Sequence, residues 1–523
     1  MSGDGLIFLY GPPGSGKSAV GAQLARDLSL PFIDLDEMIV QAAGRPVADI
    51  FAAEGEAGFR QRERAVLDEA IARGPAVIAL GGGALLDAHS RQRAAAAGQV
   101  ICLNAPLDVL AARLATQAGL RPLLSGEARP QLQALLARRA DHYASFDRQL
   151  DASAGSVEQI AWDAQVLLGR YHVSGMGAGY DVLIRSGSLD DLGQAMLRRG
   201  LLGPVALVSD ENVARLYADR VSQGLRAAGY TVHLVLLPPG EQFKTLESVS
   251  ALWQAFLAAG LERSSTVVAL GGGVVGDLAG FAAATYLRGV PWVTAPTSLL
   301  AMVDASLGGK TGADLPQGKN LVGVFYPPSL ALADPAVLAT LPQAELRSGL
   351  AEVVKHGVIG DPELFELCSQ PWQAVLANMD EIVRRAAAVK VRVIRIDPFE
   401  RGERAALNLG HTLGHALEVT TNYQLRHGEA VSIGMVFAVR LAEKMGLAQA
   451  GLAGRLGQVL GGLGLPLEIP SDLDRKRILA ALQLDKKRRA GKLRFVLPLR
   501  VGEVRWGVEI ENLVSTLLLP GQP

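Results

Sequence analysis

Cysteine is nearly missing from this 523-residue chain, which holds only Cys102 and Cys368, far apart and each among apolar neighbours. That excludes a disulfide framework and a thiolate metal centre, and two buried free thiols are expected. No apolar run of 18 residues free of charge occurs, so no membrane-spanning helix is expected. An excess of one charge is lacking too. The 51 Lys and Arg meet 52 Asp and Glu for a net charge of −1, which argues against a nucleic-acid or membrane-surface partner. Met1-Ser2-Gly3-Asp4-Gly5 carries no basic segment and does not read as a signal peptide, so a cytoplasmic location is expected.

Glycine is in excess, 59 residues or about 11% where roughly 7% is usual. The length exceeds what one core supports, about 250–300 residues, and implies two to four domains. Continuous apolar runs at Leu6–Tyr10, Pro31–Asp34, Ala76–Leu80 and Val100–Leu103 alternate with helical patterns such as Lys17–Leu28, as in a parallel sheet covered on both faces. The pattern fades near Asp151–Gly155, and glycines cluster at 169–179. A second series of strands is predicted at Tyr180–Arg185, Pro204–Val208, Thr231–Leu236, Thr266–Leu270 and Pro291–Thr294. Beyond about residue 335 helical patterns dominate, at Gln343–Leu367, Trp372–Arg395, Thr412–Glu418 and Glu429–Lys444. The reading is α/β: a P-loop parallel-sheet domain over 1–168, a Rossmann-like dinucleotide-binding domain over 172–335, and a mostly α-helical metal-binding domain over 336–523.

Gly11-Pro12-Pro13-Gly14-Ser15-Gly16-Lys17-Ser18 lies between a predicted strand and a predicted helix. Glycines there let backbone N–H groups curl round phosphates; Lys17 suits the β- and γ-phosphates and Ser18 a Mg²⁺ ion. Asp34-Leu35-Asp36, Phe59-Arg60 and Gly81-Gly82-Gly83 follow near strand ends. Singly each is weak. Together they offer carboxylates for hydroxyls, a guanidinium for a carboxylate, and bare backbone for close approach.

These motifs resemble shikimate kinase over about the first 165 residues. The resemblance implies Mg-ATP as cofactor and phosphorylation of the shikimate 3-hydroxyl. It places Asp34 near Mg²⁺, Asp36 at the substrate hydroxyls as candidate base, and Arg60, Arg139 and Gly81–Gly83 at the substrate. Arg138 stands beside Arg139 as an alternative. Gly119-Leu120-Arg121-Pro122 resembles the family's lid, with Arg121 reaching the ATP phosphates.

In the second half Gly271-Gly272-Gly273-Val274-Val275-Gly276-Asp277 follows a strand, accompanied by Ser209-Asp210-Glu211-Asn212 and Pro239-Gly240-Glu241-Gln242-Phe243-Lys244. Acidic strand ends suit ribose hydroxyls and glycine N–H groups suit a pyrophosphate. Lys310 and Lys319, among glycines, suggest a phosphorylated substrate. His411 and His415, one helical turn apart, suggest a zinc pair with a carboxylate as third ligand.

These segments resemble 3-dehydroquinate synthase over about 172–523, and the resemblance regroups the metal ligands as Glu352, His411 and His427, with His415 on the substrate side. It implies NAD and zinc, or cobalt, and cyclisation of 3-deoxy-arabino-heptulosonate 7-phosphate to 3-dehydroquinate with release of phosphate. The implied NAD set is Asp210, Asn212, Glu241, Lys244, Gly272, Gly273, Asp277, Thr297, Ser298, Lys310, Lys319 and Thr340. Asp304, Lys310, Asn320, Lys355, Lys390, Arg404, Asn408 and one of Lys486 or Lys487 are expected around the substrate, with Arg288 reaching it across a homodimer interface. Alternatives are another small-metabolite kinase fused to a related sugar-phosphate cyclase, a glycerol-dehydrogenase-like second half, or one inactive half.

Overall fold

In the computed structural model residues 5–115, 128–488 and 493–510 are described, with backbone alone at 128 and 483–488. The lid expected around Arg121 lies outside the described residues. Two compact units form, residues 1–172 and 173–523.

The first unit is built on a five-stranded sheet: β1 (Leu6–Tyr10), β2 (Phe32–Asp34), β3 (Ala76–Ala79), β4 (Gly98–Asn104) and β5 (Gln149–Asp151), in the order β2-β3-β1-β4-β5. Every neighbouring pair is parallel. Both faces of the sheet are covered, which explains why β1 has no charged side chain. Leu6, Phe8 and Tyr10 enter the core on one face, Ile7 and Leu9 the core on the other. Helices α1 (Lys17–Asp27), α2 (Leu35–Ala43), α3 (Val47–Ala72) and α4 (Ala128–Ala144) carry the motifs, and α3 is broken at Gly55, whose φ is 68°. β5 was not foreseen. It is a three-residue edge strand, largely exposed, with no apolar run to announce it.

A seven-stranded sheet begins with β6 (Arg170–Val173), which crosses the boundary between residues 172 and 173, and continues in the second unit with β7 (Tyr180–Ile184), β8 (Leu202–Asp210), β9 (Val232–Leu237), β10 (Ser265–Gly271), β11 (Trp292–Pro296) and, after a hairpin of β12 (Lys310–Leu315) and β13 (Gly318–Phe325), β14 (Leu330–Ala333). Its order is β6-β7-β14-β11-β10-β8-β9. From β8 the chain moves outward to β9 and returns on the other side at β10. A crevice therefore opens at the carboxyl ends of β8 and β10, where Asp210 and Gly271–Gly273 sit. The helix α5 (Gly273–Thr285) starts there.

The helical part contains α6 (Gln343–Gly360), α7 (Met379–Ile396), α8 (His411–Thr420) and α9 (His427–Lys444), followed by a hairpin of β15 (Arg494–Arg500) and β16 (Glu503–Glu509). Two predicted helices are in fact pairs. Asp361 caps a new helix at Pro362–Cys368, and Asn378 separates Trp372–Ala377 from α7, so an apolar period continues across breaks in the backbone. Among the described residues no helix is long and apolar enough to cross a membrane.

Candidate active sites

In the first unit Gly11, Gly14 and Gly16 all have left-handed φ, and a Cβ on Gly11 would lie 2.2 Å from the Leu103 carbonyl oxygen. The loop is therefore open only to glycine at this point. It turns Lys17 inward, where Nζ donates to the carbonyls of Gly11 and Pro12 at 2.9 Å each. Ser18 Oγ donates to Asp34 Oδ2 at 2.5 Å, while Asp34 Oδ1 accepts from the backbone N–H groups of Asp36 and Glu37 and caps α2.

Across from this loop, Asp36 Oδ1 and Glu63 Oε1 each stand 3.0 Å from where a Gly81 Cβ would be, and Arg60 Nη2 stands 2.5 Å from that of Gly83. Arg60 Nη1 donates to Glu63 Oε2 at 2.6 Å. The carbonyl of Gly82 accepts from Arg139 Nη1 at 2.8 Å, Tyr143 at 2.8 Å and Tyr10 at 3.4 Å. Arg138 is exposed on the same helix, so Arg139 is the arginine that α4 turns towards the glycines. Glu63 was missed in the sequence, although its i, i+3 spacing from Arg60 on α3 was the available signal. Burial raises its carboxyl pKa against the opposing pull of Arg60.

In the second unit Lys244, nearly fully buried, donates to Asp277 Oδ2 and to Asn320 Oδ1, both at 2.5 Å. Lys319 pairs with Glu241 at 3.2 Å and lies 4.4 Å from the ring centre of Tyr423. Gly272, Gly273, Asp277, Ser306 and Lys310 line one small cavity at the head of α5. Ser298 Oγ is 3.6 Å from where a Cβ on Gly272 would be, and Thr297 N–H donates to the Gly271 carbonyl. Asp210 caps the helix Glu211–Ala227 through the N–H groups of Asn212 and Val213. Thr340 faces elsewhere in the hydrogen-bond pattern: its Oγ1 shares a 2.6 Å bond with the Tyr217 hydroxyl.

A denser charge cluster lies below. A π-helical turn at Ala301–Ala305 presents Asp304, whose Oδ1 accepts from Lys390 Nζ at 2.6 Å. Burial raises the Asp304 carboxyl, but Lys390 and Lys355 outweigh it and hold it well below the carboxylate range. Burial drops Lys390 to about 8. Lys310 and Asn408 both bond Glu400, and Arg404 is buried against the carbonyls of Pro398 and Gly308. Glu400 was not singled out in the sequence. Arg288 is exposed with a φ of 68°, and the side chains of Lys486 and Lys487 lie outside the described residues.

Three helices meet at Glu352, His411 and His427. Their approach is set by glycine: a Cβ on Gly428 would lie 2.0 Å from the Ser348 carbonyl oxygen, and one on Gly434 would lie 1.9 Å from that of Gly410. Backbone contact thus joins α9 to α6 and to the residue preceding α8. The ligand atoms of the three side chains all fall within 4.8 Å of one another. His427 Nε2 is 3.4 Å and His411 Nε2 3.7 Å from Glu352 Oε1, an atom fully buried and without a hydrogen-bond donor. Around tetrahedral zinc with bonds of roughly 2.0–2.1 Å, donor atoms stand about 3.3 Å apart, so this set fits a cation of that size. His415 on α8 is stacked edge-on to His411, with ring centres 5.3 Å apart, and is not a member of the set; the local His411–His415 pairing is corrected by Glu352 and His427 arriving from other helices.

The sequence of a 3-dehydroquinate synthase from Pelobacter propionicus is 48% identical over 345 residues, covering 65% of this chain and 95% of that protein. The chain belongs to the 3-dehydroquinate synthase family. Family models agree, matching the 3-dehydroquinate synthase N-terminal domain at residues 234–348 and the C-terminal domain at 349–488, and shikimate kinase at 13–167. A 3-dehydroquinate synthase from Nostoc punctiforme is 46% identical over 349 residues, 65% of this chain and 96% of that one. Among solved structures, the 2-epi-5-epi-valiolone synthase ValA of Streptomyces hygroscopicus subsp. jinggangensis, with NAD⁺ and Zn²⁺ bound, shares 30% identity at a TM-score of 0.60, covering 65% of this chain and 95% of its own. A 2-deoxy-scyllo-inosose synthase complexed with carbaglucose-6-phosphate, NAD⁺ and Co²⁺ shares 26% at 0.62, covering 68% and 100%. The 3-dehydroquinate synthase unit is therefore closer in sequence to its curated relatives than to these other cyclases, and a shikimate kinase domain precedes it.

Proposed function

We propose that the chain is a bifunctional enzyme of aromatic biosynthesis, phosphorylating shikimate at its 3-hydroxyl with ATP and cyclising 3-deoxy-arabino-heptulosonate 7-phosphate to 3-dehydroquinate with release of phosphate. The observation that carries the second activity is the buried Glu352–His411–His427 set within reach of Lys355, Lys390 and Asp304. The family of the first unit and the Lys17–Ser18–Asp34 arrangement carry the first.

In the kinase half, Lys17 and the loop N–H groups hold the ATP phosphates, and Ser18 and Asp34 a Mg²⁺ ion. Arg60 and Arg139 hold the substrate carboxylate, Gly81–Gly83 admit its ring, and Asp36 accepts the hydroxyl proton. In the synthase half, Glu352, His411 and His427 would hold zinc, and Asp210, Gly272, Gly273 and Asp277, at the ends of β8 and β10, would hold NAD. When bound, NAD would supply reversible hydride transfer and zinc would supply Lewis-acid activation of a carbinol hydroxyl. Lys355, Lys390, Arg404 and Asn408 orient the anionic substrate, and Asp304 keeps Lys390 aimed at it. A homodimer in which Arg288 reaches the neighbouring site, and a cytoplasmic location, complete the reading. The test is a paired assay on the intact chain: phosphate release from the heptulosonate phosphate with NAD⁺ and Zn²⁺, and shikimate-dependent ADP formation with Mg²⁺. Absence of the first product, or ADP formation indifferent to shikimate, refutes the corresponding half.

A further inference from the structure

We infer that Glu418 is the positioning residue of the metal centre, fixing the tautomer and orientation of His427; this rests on the zinc reading above. The His427 ring stands between two carboxylates. Nε2 faces Glu352 Oε1 at 3.4 Å, and Nδ1 faces Glu418 Oε1 at 3.4 Å. An imidazole binds a metal through a lone pair only if its proton sits on the other nitrogen. An acceptor at Nδ1 therefore selects the form with Nε2 open towards Glu352.

The same logic holds at His411, by different means. Its Nδ1 lies 3.1 Å from the carbonyl oxygen of Leu409, while Nε2 points at Glu352. Both histidines thus present Nε2 to one carboxylate oxygen and Nδ1 to an acceptor. His411 opens α8 and is held by the backbone just before it. His427 opens α9, and its support comes from another helix. Glu418 lies seven residues after His411, two turns along the same face of α8, so one helix supplies a metal ligand and the support for a second.

Glu418 is 8% exposed, and its side chain caps no helix. An anionic acceptor also raises the basicity of the imidazole it bonds, which a neutral carbonyl does less strongly.

The experiment uses the full chain with Glu418→Gln and Glu418→Ala. Zinc affinity is measured by competition with a chelator of known affinity, alongside the melting temperature of the zinc-free protein and the kinase activity as a control for folding. Glu418→Ala is expected to weaken zinc affinity by about 10- to 100-fold, with a smaller loss in Glu418→Gln, whose amide oxygen still accepts. Synthase activity should return towards the wild-type kcat as zinc is raised, which general damage to the fold would not allow. Should Glu418→Ala fail to fold, the isosteric Glu418→Gln decides. Equal zinc affinity in wild type and variants overturns the inference alone, whereas a wild-type chain that binds no zinc overturns the metal reading beneath it.

Discussion

Replacing Gly83 by alanine displaces Arg60 in the kinase half. Gly83 has φ −123° and ψ 0°, a negative φ that does not require glycine, so the backbone is not forced to move. The new methyl would stand 2.5 Å from Arg60 Nη2 and 3.1 Å from Arg60 Cζ, too close for either to stay. The displaced group is the end of a flexible side chain, so the guanidinium swings away and the fold remains, but its 2.6 Å bond to the buried Glu63 is loosened and stability falls by about 1–3 kcal/mol. What is lost is the charge-assisted hold of Arg60 on the substrate carboxylate. Such a bond contributes about 1.5–3 kcal/mol, and each 1.4 kcal/mol is about tenfold, so KM for shikimate should rise by about 10- to 150-fold. The assay is ADP formation against shikimate concentration, with phosphate release by the synthase half as internal control. A KM for shikimate equal to wild type, in a folded variant whose phosphate release is unchanged, would refute the placement of Arg60.

Other outcomes follow from the same geometry. His427→Ala should abolish phosphate release and leave shikimate-dependent ADP formation intact; loss of both would show that the halves do not act independently. Because Lys390 is lowered to about 8 by burial, it is charged below that pH and neutral above it, so kcat/KM of the synthase should fall as pH rises through about 8. Lys390→Arg, which stays charged, should move that limb upward, and a wild-type profile flat to pH 10 would remove Lys390 from substrate binding. Gly434→Ala drives a methyl against the Gly410 carbonyl oxygen, and overpacking of this kind costs about 1–3 kcal/mol. Its zinc affinity should fall although no ligand is changed; unaltered affinity in chelator competition would show that this contact does not set ligand spacing.

Much of this architecture is legible in the residues. β1 has five consecutive apolar positions because both faces of its sheet are covered, and the loop after it contains three glycines because its backbone needs them. Short or edge strands such as β5 were hidden, since a three-residue exposed segment carries no pattern. Asp361 and Asn378 interrupt helices without interrupting the apolar period, so periodicity alone joined what the backbone separates. The candidate site divides in the same manner. Motif residues stand out, but their supports, Glu63, Glu400 and Glu418, are ordinary acids until folding sets them beside Arg60, Lys310 and His427. Local spacing favoured His411 with His415; only the crossing of three helices brings Glu352 and His427 to His411.

That crossing has a consequence for how the protein tolerates change. Where Gly428 meets Ser348 and Gly434 meets Gly410, main chain touches main chain, and the distance between helices cannot respond to which apolar side chains fill the surrounding interior. The spacing of the three donor atoms is thereby insulated from drift in its own hydrophobic lining. Val353, Val431 and Met435 can be exchanged for residues of similar bulk with little effect on the donor triangle, while two residues that possess no side chain hold its dimensions.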